Sequence, residues 1–113
     1  MKEVITWNDF EKIDVRVGTV IEASMNESTS KPAIIVIVDF GEDIGVLKSS
    51  AQIACLYKPE ELVGQQVLGV VNFEPKQIGK MISQFLVLGI YSENSDVVLI
   101  QPEKVVKNGS KTG

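Results

Sequence analysis

The sequence predicts an all-β protein built as a small closed barrel of five strands. Short apolar runs recur along the chain, and polar or glycine-containing turns separate them. One region without a strand pattern, Ser50 to Leu62, falls between the third and fourth runs. A helical insert at that place is the arrangement of the OB-fold. We therefore expect a five-stranded OB-fold barrel with a short N-terminal helix, this helical insert and extra strands at the C-terminal end.

The N-terminal helix is predicted from its cap. Thr6 can accept a backbone N–H as N-cap, and Asp9 stands at the third helical position in a variant of the capping box. Trp7 and Phe10 are three residues apart and share one helical face. So short a helix cannot stand alone, so this face must pack against something. The simplest interpretation is that both side chains belong to the chain's own core.

The first three strands are predicted from apolar side chains. Ile13 to Ala23 alternates apolar and polar residues and forms the first strand, with a bulge or bend at Gly18. A polar loop leads to the second strand, the apolar run Ala33 to Phe40. A tight turn at Gly41 to Asp43 then lets the third strand, Ile44 to Ser49, pair back against the second.

The second half continues the same pattern. In the insert, Pro59 favours the start of a helical turn. After it we expect a fourth strand at Val67 to Phe73, a loop at Pro75 to Gly79, a fifth strand at Ser83 to Tyr91 and a short sixth strand at Val97 to Ile100. The polar tail, Lys104 to Gly113, contains Asn108-Gly109 and is expected to form a turn or a loose end.

The composition excludes the catalytic sites that depend on histidine or on several cysteines. The chain has no histidine, which excludes Ser-His-Asp and Cys-His systems and histidine zinc sites. Its one cysteine, Cys55, can form neither an internal disulfide nor a cysteine zinc cluster, and we expect it to be a buried apolar residue. The carboxylates fall where solvated surface charge is expected. We therefore expect no enzyme activity, no metal and no cofactor.

Charge and length set further limits. The 113 residues are the size of a single domain, 1–113. Eleven basic against fifteen acidic residues give a net charge of −4, which argues against a generic nucleic-acid binder, so any phosphate contact must come from a local patch. No targeting or membrane-spanning segment is visible, and we expect a cytoplasmic protein without membrane insertion.

Polar side chains that suit RNA cluster in two regions, Lys48 to Gln52 and Asn72 to Gln84. The loops and one sheet face of an OB barrel form its usual ligand surface. Lysine would neutralise phosphate there, while amides and hydroxyls could bond sugar or base edges. Taken singly, each is more often an ordinary surface residue. Aromatic stacking platforms are few, with Phe73, Phe85 and Tyr91 on predicted strands, which weakens a non-specific single-strand binder.

The opening Asp9 to Val20, with Lys48 to Ile53, Val70 to Phe73 and Pro75 to Gly79, resembles the CsaA-type tRNA-binding-domain proteins. The resemblance runs through Leu86 to Gly89 and Val97 to Pro102 and covers essentially the whole chain. It implies an OB fold, a homodimer, and two activities: binding of tRNA, and binding of unfolded or pre-secretory polypeptides as an export-related chaperone. Related domains are appended to methionyl-tRNA synthetases.

The resemblance also implies site residues. The RNA-facing candidates are Lys31, Lys48, Ser50, Asn72, Lys76, Gln77 and Ser83. The candidates for the dimer interface are Trp7 and Phe10 in the N-terminal segment and Val97 and Leu99 in the C-terminal strands.

The chain departs from the family pattern at several positions. Ser30, Ile35 and Leu47 stand where relatives often carry basic residues, Glu74 replaces a lysine usual in synthetase-linked relatives, and Gln84 stands where this subfamily usually has Glu. Fewer cations lower the phosphate contribution to affinity. If exposed, Ile35 and Leu47 would add an apolar patch that favours polypeptides. We therefore expect a non-enzymatic homodimeric tRNA-binding module and keep a polypeptide-binding chaperone as the alternative.

Overall fold

The structure, a computed structural model, describes residues 1–113. It contains three short helices and nine strands. The helices are α1 Trp7–Glu11, α2 Gly41–Ile44 and α3 Pro59–Leu62. The strands are β1 Val15–Asn26, β2 Ala33–Asp39, β3 Val46–Ala51, β4 Gln66–Val70, β5 Lys76–Ile78, β6 Met81–Ser83, β7 Leu86–Val87, β8 Gly89–Tyr91 and β9 Val97–Leu99. No helix is longer than five residues, so none is long and apolar enough to cross a membrane.

Five strands form one curled antiparallel sheet in the order β3-β2-β1-β4-β7. The long strand β1 holds it together, because residues 15–19 pair with β4 and residues 19–26 pair with β2. Two separate hairpins, β5–β6 and β8–β9, extend from this half-barrel. The predicted all-β, OB-type architecture with extra C-terminal strands is therefore confirmed.

Hydrogen bonds join β3, at one edge of this sheet, to Ser83 and Gln84, which lie just before β7 at the other edge. The backbone N–H of Gln84 donates to the carbonyl oxygen of Lys48 at 2.8 Å, and the N–H of Lys48 donates to Gln84 Oε1 at 3.0 Å. Two residues further along β3, the N–H of Ser50 donates to Ser83 Oγ at 2.8 Å. We call this line of contacts the β3 seam. It pairs edge-strand groups that would otherwise be open to another chain.

The core lies between the curled sheet and α3. Phe40, Ile34 and Leu62 are its largest fully buried side chains. Phe40 meets Phe85 edge to face, with ring centroids 5.0 Å apart and an interplanar angle of 81°. A Cβ on Gly69 would lie 2.7 Å from the Phe85 ring, so only glycine lets β4 approach that pair.

The predicted bulge at Gly18 is wrong. Gly18 pairs in regular register with Val67, and the irregularity falls at Ile21, between Val20 and Glu22. Gly18 serves packing instead, because a Cβ there would lie 2.5 Å from the Val38 side chain. The glycine therefore marks a close approach of β1 and β2, which sequence cannot distinguish from a bulge.

The predictions for residues 75–91 need two corrections. The expected loop at Pro75 to Gly79 contains β5, which pairs with β6 across a turn at Gly79 with φ of +65°. The expected strand Ser83 to Tyr91 is divided into the end of β6, then β7 and β8. The division occurs because Gln84 bonds to β3 while β7 bonds to β4.

The polar tail is ordered against β1, with the predicted turn at Asn108-Gly109, so the alternative of a loose end is wrong. The N–H of Gly109 donates to the Val17 carbonyl at 2.7 Å, and the N–H of Val17 donates to the Ser110 carbonyl at 3.0 Å. The N–H of Thr112 donates to the Val15 carbonyl at 3.1 Å. This C-terminal segment occupies the flank of β1 that β2 does not reach, because β2 pairs only from Thr19 onward. Backbone groups on that flank need partners, and the tail supplies them.

The short helices agree with the sequence, whereas the position of Cys55 does not. The capping box of α1 is present as predicted, with the Asp9 N–H donating to Thr6 Oγ1 and the Thr6 N–H donating to Asp9 Oδ2. The expected turn after β2 is the single helical turn α2, and the insert between β3 and β4 contains one helical turn, α3. Cys55 is exposed, so its expected burial is wrong; the segment between β3 and α3 lies at the surface there.

Candidate functional site

A cleft of about 350 Å³ opens beside the β3 seam, between β3 and the β5–β6 hairpin. We call it the seam cleft. It brings together three of the predicted RNA-facing residues, Ser50, Lys76 and Ser83. The cleft is also lined by Ser49, Phe73, Glu74, Ile78 and Leu86.

Asn26 fastens the segments around this cleft to one another. Its Nδ2 donates to Ser50 Oγ at 3.0 Å and to the Ile78 carbonyl at 3.4 Å. Its Oδ1 accepts from the N–H and the hydroxyl of Ser28 at 3.1 and 2.6 Å. Ser28 Oγ in turn accepts from the N–H of Lys80 at 2.8 Å. One buried amide thus joins the loop after β1, strand β3 and the β5–β6 hairpin.

Four exposed lysines lie on the segments that this network joins. Lys31 is in the loop after β1, Lys48 is on β3, Lys76 opens β5, and Lys80 lies in the hairpin turn. The ion pairs of the structure involve other cations, namely Lys12 with Asp9, and Arg16 with Asp14 and Asp43. None of the four lysines therefore forms a salt bridge, and each can bind an anion.

Two predicted RNA-facing residues make contacts within the chain. Asn72 accepts the N–H of Asp14 on Oδ1 at 3.0 Å and donates from Nδ2 to the Lys12 carbonyl at 2.7 Å. Its side chain thus fixes the junction between α1 and β1, away from the seam cleft. Gln77 is exposed on β5, and its Nε2 donates to the Gly79 carbonyl at 3.2 Å across the hairpin turn.

The four predicted interface residues differ in exposure. Trp7 is 85% exposed, so its alternative role in the chain's own core is wrong, while Phe10 is half-buried. Val97 and Leu99 are half-buried and pack against the chain's own core. The outer face of the β8–β9 hairpin instead exposes Ile90 and Val98, and Tyr91, at the end of β8 on the opposite face, is also exposed.

The apolar positions expected to favour polypeptides do not form an exposed patch. Ile35 and Leu47 are both half-buried, and Leu47 packs against the core. Exposed apolar side chains at the cleft are Phe73 and Leu86 instead. The sequence placed Phe73 inside the fourth strand, but β4 ends at Val70, which frees the ring from the sheet.

A second cleft of about 610 Å³ lies between α2 and the C-terminal segment. Arg16, 8% exposed, forms its floor. Arg16 Nε and Nη2 donate to the Asp14 carboxylate at 2.6 and 3.2 Å, and Nη1 donates to the Gly109 carbonyl at 3.1 Å. The hydrogen bond with Asp14 raises the pKa of Arg16, and burial opposes this in part. These contacts use the Arg16 guanidinium inside the fold, so the exposed Lys107 is the cation of this cleft that has no ion pair.

A family model described as a putative tRNA binding domain matches residues 15–111. Among characterised relatives, a methionine–tRNA ligase of Methanothrix thermoacetophila is 43% identical over 108 residues, which is 96% of this chain and 15% of the ligase. A methionine–tRNA ligase of Parabacteroides distasonis is 36% identical over 113 residues, covering 98% of this chain and 16% of the ligase. The chain thus spans about one seventh of the length of these relatives.

Solved structures match over nearly the whole of both chains. The chaperone CsaA from Bacillus anthracis superposes with a TM-score of 0.92 at 43% identity, covering 98% of this chain and 100% of that one. The CsaA chaperone protein from Picrophilus torridus superposes with a TM-score of 0.91 at 44% identity, covering 97% and 100%. These likenesses extend to the hairpins and the C-terminal segment, since the coverage is nearly complete.

Proposed function

The chain belongs to the family of putative tRNA-binding domains, and on that premise we propose that residues 1–113 act as one non-enzymatic module that binds tRNA as a homodimer. Recognition is through a local basic and polar surface centred on the seam cleft. The observation that carries this proposal is that the Asn26 network joins the three segments on which Lys31, Lys48, Lys76 and Lys80 stand exposed.

Electrostatics explain how an acidic chain can take this ligand. The charges on these exposed lysines are not neutralised by bridging carboxylates, so each can displace counterions from RNA phosphate. The hydroxyls of Ser50 and Ser83 lie beside them, as suits contacts to sugar and base edges of folded RNA. Lys31 and Gln77 extend the surface along the adjacent loop and hairpin.

Lys76→Ala tests this surface. The variant should bind an unmodified tRNA transcript more weakly than the parent, and its plot of log affinity against log salt should be shallower by about 1, because one phosphate contact is lost. Lys104→Ala is the matched control: Lys104 is exposed, has no ion pair, and lies in the segment that bonds to Gln66 through Val106. Equal effects of the two substitutions would show a response to net charge alone and would contradict the assigned surface.

A polypeptide-binding chaperone is the second candidate. It is supported by the likeness to the two CsaA chaperone structures and by exposed apolar side chains at Ile90, Tyr91 and Val98. Such a protein would suppress aggregation of an unfolded polypeptide independently of salt, since apolar contacts are not screened. Pure dimer without any such suppression would remove this candidate and leave tRNA binding untouched.

A further inference from the structure

We propose that the seam cleft receives a single unstacked nucleobase of the bound RNA, with the Phe73 ring as its stacking face. This rests on the proposed function and goes further, because it assigns the cleft a ligand part and Phe73 a role. Phe73 is not one of the RNA-facing candidates that the family resemblance implies.

The exposure of Phe73 is the first support. Its side chain is 57% exposed although it lines the cleft, and it takes no part in the aromatic pair of the core. Leu86, also exposed, and Ile78 complete an apolar lining. An exposed ring beside a confined apolar space is the arrangement on which unpaired bases stack.

Polar groups in the cleft suit a base edge better than a phosphate. Glu74 lines the cleft and would repel a phosphate, but its carboxylate can accept the N–H groups of a base. The hydroxyl of Ser50 accepts from Asn26, and that of Ser83 accepts from the Ser50 N–H. Each hydroxyl keeps its own hydrogen for donation to a ring nitrogen or carbonyl oxygen.

The size of the cleft and its seam argue against an extended peptide as occupant. A volume of about 350 Å³ is at the low end of small-molecule sites, which run to roughly 1,000 Å³. A peptide that added as a strand to β3 would need the N–H groups of Lys48 and Ser50. Gln84 and Ser83 already bind both of them.

The lysines then lie where the flanking phosphates would run. Lys76 pairs in register with Ser83, and Lys48 is bonded to Gln84, so the two cations flank the same short segment of chain. A nucleotide with its base in the cleft would place its backbone toward these side chains. A substitution of Phe73 should therefore affect the contact with the base, and a substitution of Lys48 or Lys76 should affect the contact with phosphate.

The test compares Phe73→Ala and Phe73→Leu with the parent on two probes: an unmodified tRNA transcript, and a fully paired RNA duplex of twelve base pairs, on the order of the ~16 pairs that a double-strand-binding domain spans. Both variants should weaken tRNA binding by about 5- to 150-fold without changing the salt slope, because base stacking but no phosphate contact is lost. Duplex binding should be unchanged, since its bases are paired. Phe73→Tyr keeps a ring and should bind tRNA more tightly than Phe73→Leu.

A matched control is Ile82→Ala on the neighbouring β5–β6 hairpin, where the exposed Ile82 side chain does not line the cleft. Thermal melting establishes that each variant is folded. If the parent shows salt-dependent tRNA binding and Phe73→Leu binds as tightly, the base pocket is overturned and the proposed function stands. If the parent binds neither RNA, both fail. If Phe73→Leu loses only suppression of aggregation of an unfolded polypeptide, the cleft belongs to polypeptides, and the inference is again overturned.

Discussion

Asn26 determines the geometry of the candidate surface more than any lysine on it. Its amide contacts three segments that are far apart in the chain, at Ser28, Ser50 and Ile78. The lysines are flexible charges, and charge alone does not fix where they stand. The buried amide supplies the fixed frame.

Asn26→Ala should therefore loosen the frame. The change removes the hydrogen bonds that the buried Asn26 amide makes with Ser28, Ser50 and the Ile78 carbonyl, so the free energy of unfolding should fall by about 1–3 kcal/mol. Urea unfolding measures this. Asn8→Ala, at an exposed position of α1, is the control and should change stability by less than about 0.5 kcal/mol. Equal stability of the parent and Asn26→Ala would contradict the role given to this amide.

Residue types predicted part of the surface, and tertiary geometry decided the rest. Lys48, Ser50, Lys76 and Ser83 were identifiable because lysines and hydroxyls at strand ends of an OB barrel suit RNA. Asn26 lay in a stretch of polar residues with nothing to distinguish it, since its partners are 24 and 52 residues away. Asn72 fitted the same polar pattern as the lysines, yet its amide bonds the backbone at Lys12 and Asp14.

At the scale of elements, the C-terminal segment acts as a further strand on β1. Arg16 fixes it, because the guanidinium joins Asp14 on its own strand to the Gly109 carbonyl on the segment. The glycine at 109, with φ of +91°, allows the carbonyl of Phe40 to approach closely.

Arg16→Lys should release this segment. A lysine cannot reproduce the forked contact with Asp14 while also reaching Gly109, and the loss should cost about 1.5–3 kcal/mol. Hydrogen exchange should rise at the amides of Val17, Gly109 and Thr112, while amides in β2 exchange as before.

The effect should be the same from pH 6 to pH 9. The pKa of Arg16 is raised in the folded chain, so its stabilising contribution is complete below the unfolded pKa and is lost only as pH rises through the higher folded value. Unchanged exchange at these amides in Arg16→Lys would contradict the clamp.

Strands with strong apolar patterns were predicted well, and short ones were not. β1, β2 and β4 follow alternating or continuous apolar runs, and all three strands were found. Their ends were less well predicted, since β1 continues to Asn26 beyond the predicted Ala23 and β4 ends at Val70 before the predicted Phe73. β5 has only three residues, of which Lys76 and Gln77 are polar, so no periodicity marks it. The split after Ser83 arises from bonds to β3, which no local pattern encodes.

At the scale of the whole molecule, the proposed homodimer is the next feature to test. Trp7→Ala should weaken self-association at least tenfold, because a large exposed aromatic is the usual anchor of an interface. The monomer fold should persist, since α1 buries no side chain. Sedimentation equilibrium measures the dissociation constant, with Leu56→Ala, another exposed apolar residue, as control. A parent that stays monomeric at high concentration would refute this interface.

The net charge of −4 does not by itself prevent RNA binding, because binding depends on where the cations lie on the surface. Arg16 and Lys12 are paired with carboxylates, whereas the other basic residues, among them Lys31, Lys48, Lys76 and Lys80, form no ion pair. Overall charge limits long-range attraction, while a local cluster still releases counterions on contact.

The most direct test of this account is the salt dependence of tRNA affinity of the unaltered protein. Four lysines per protomer, acting from one or both protomers, predict a slope of log affinity against log salt between about −3 and −7. A tRNA affinity that stays constant from low to high salt, or no binding at low salt, would contradict the central claim that a local basic surface binds tRNA.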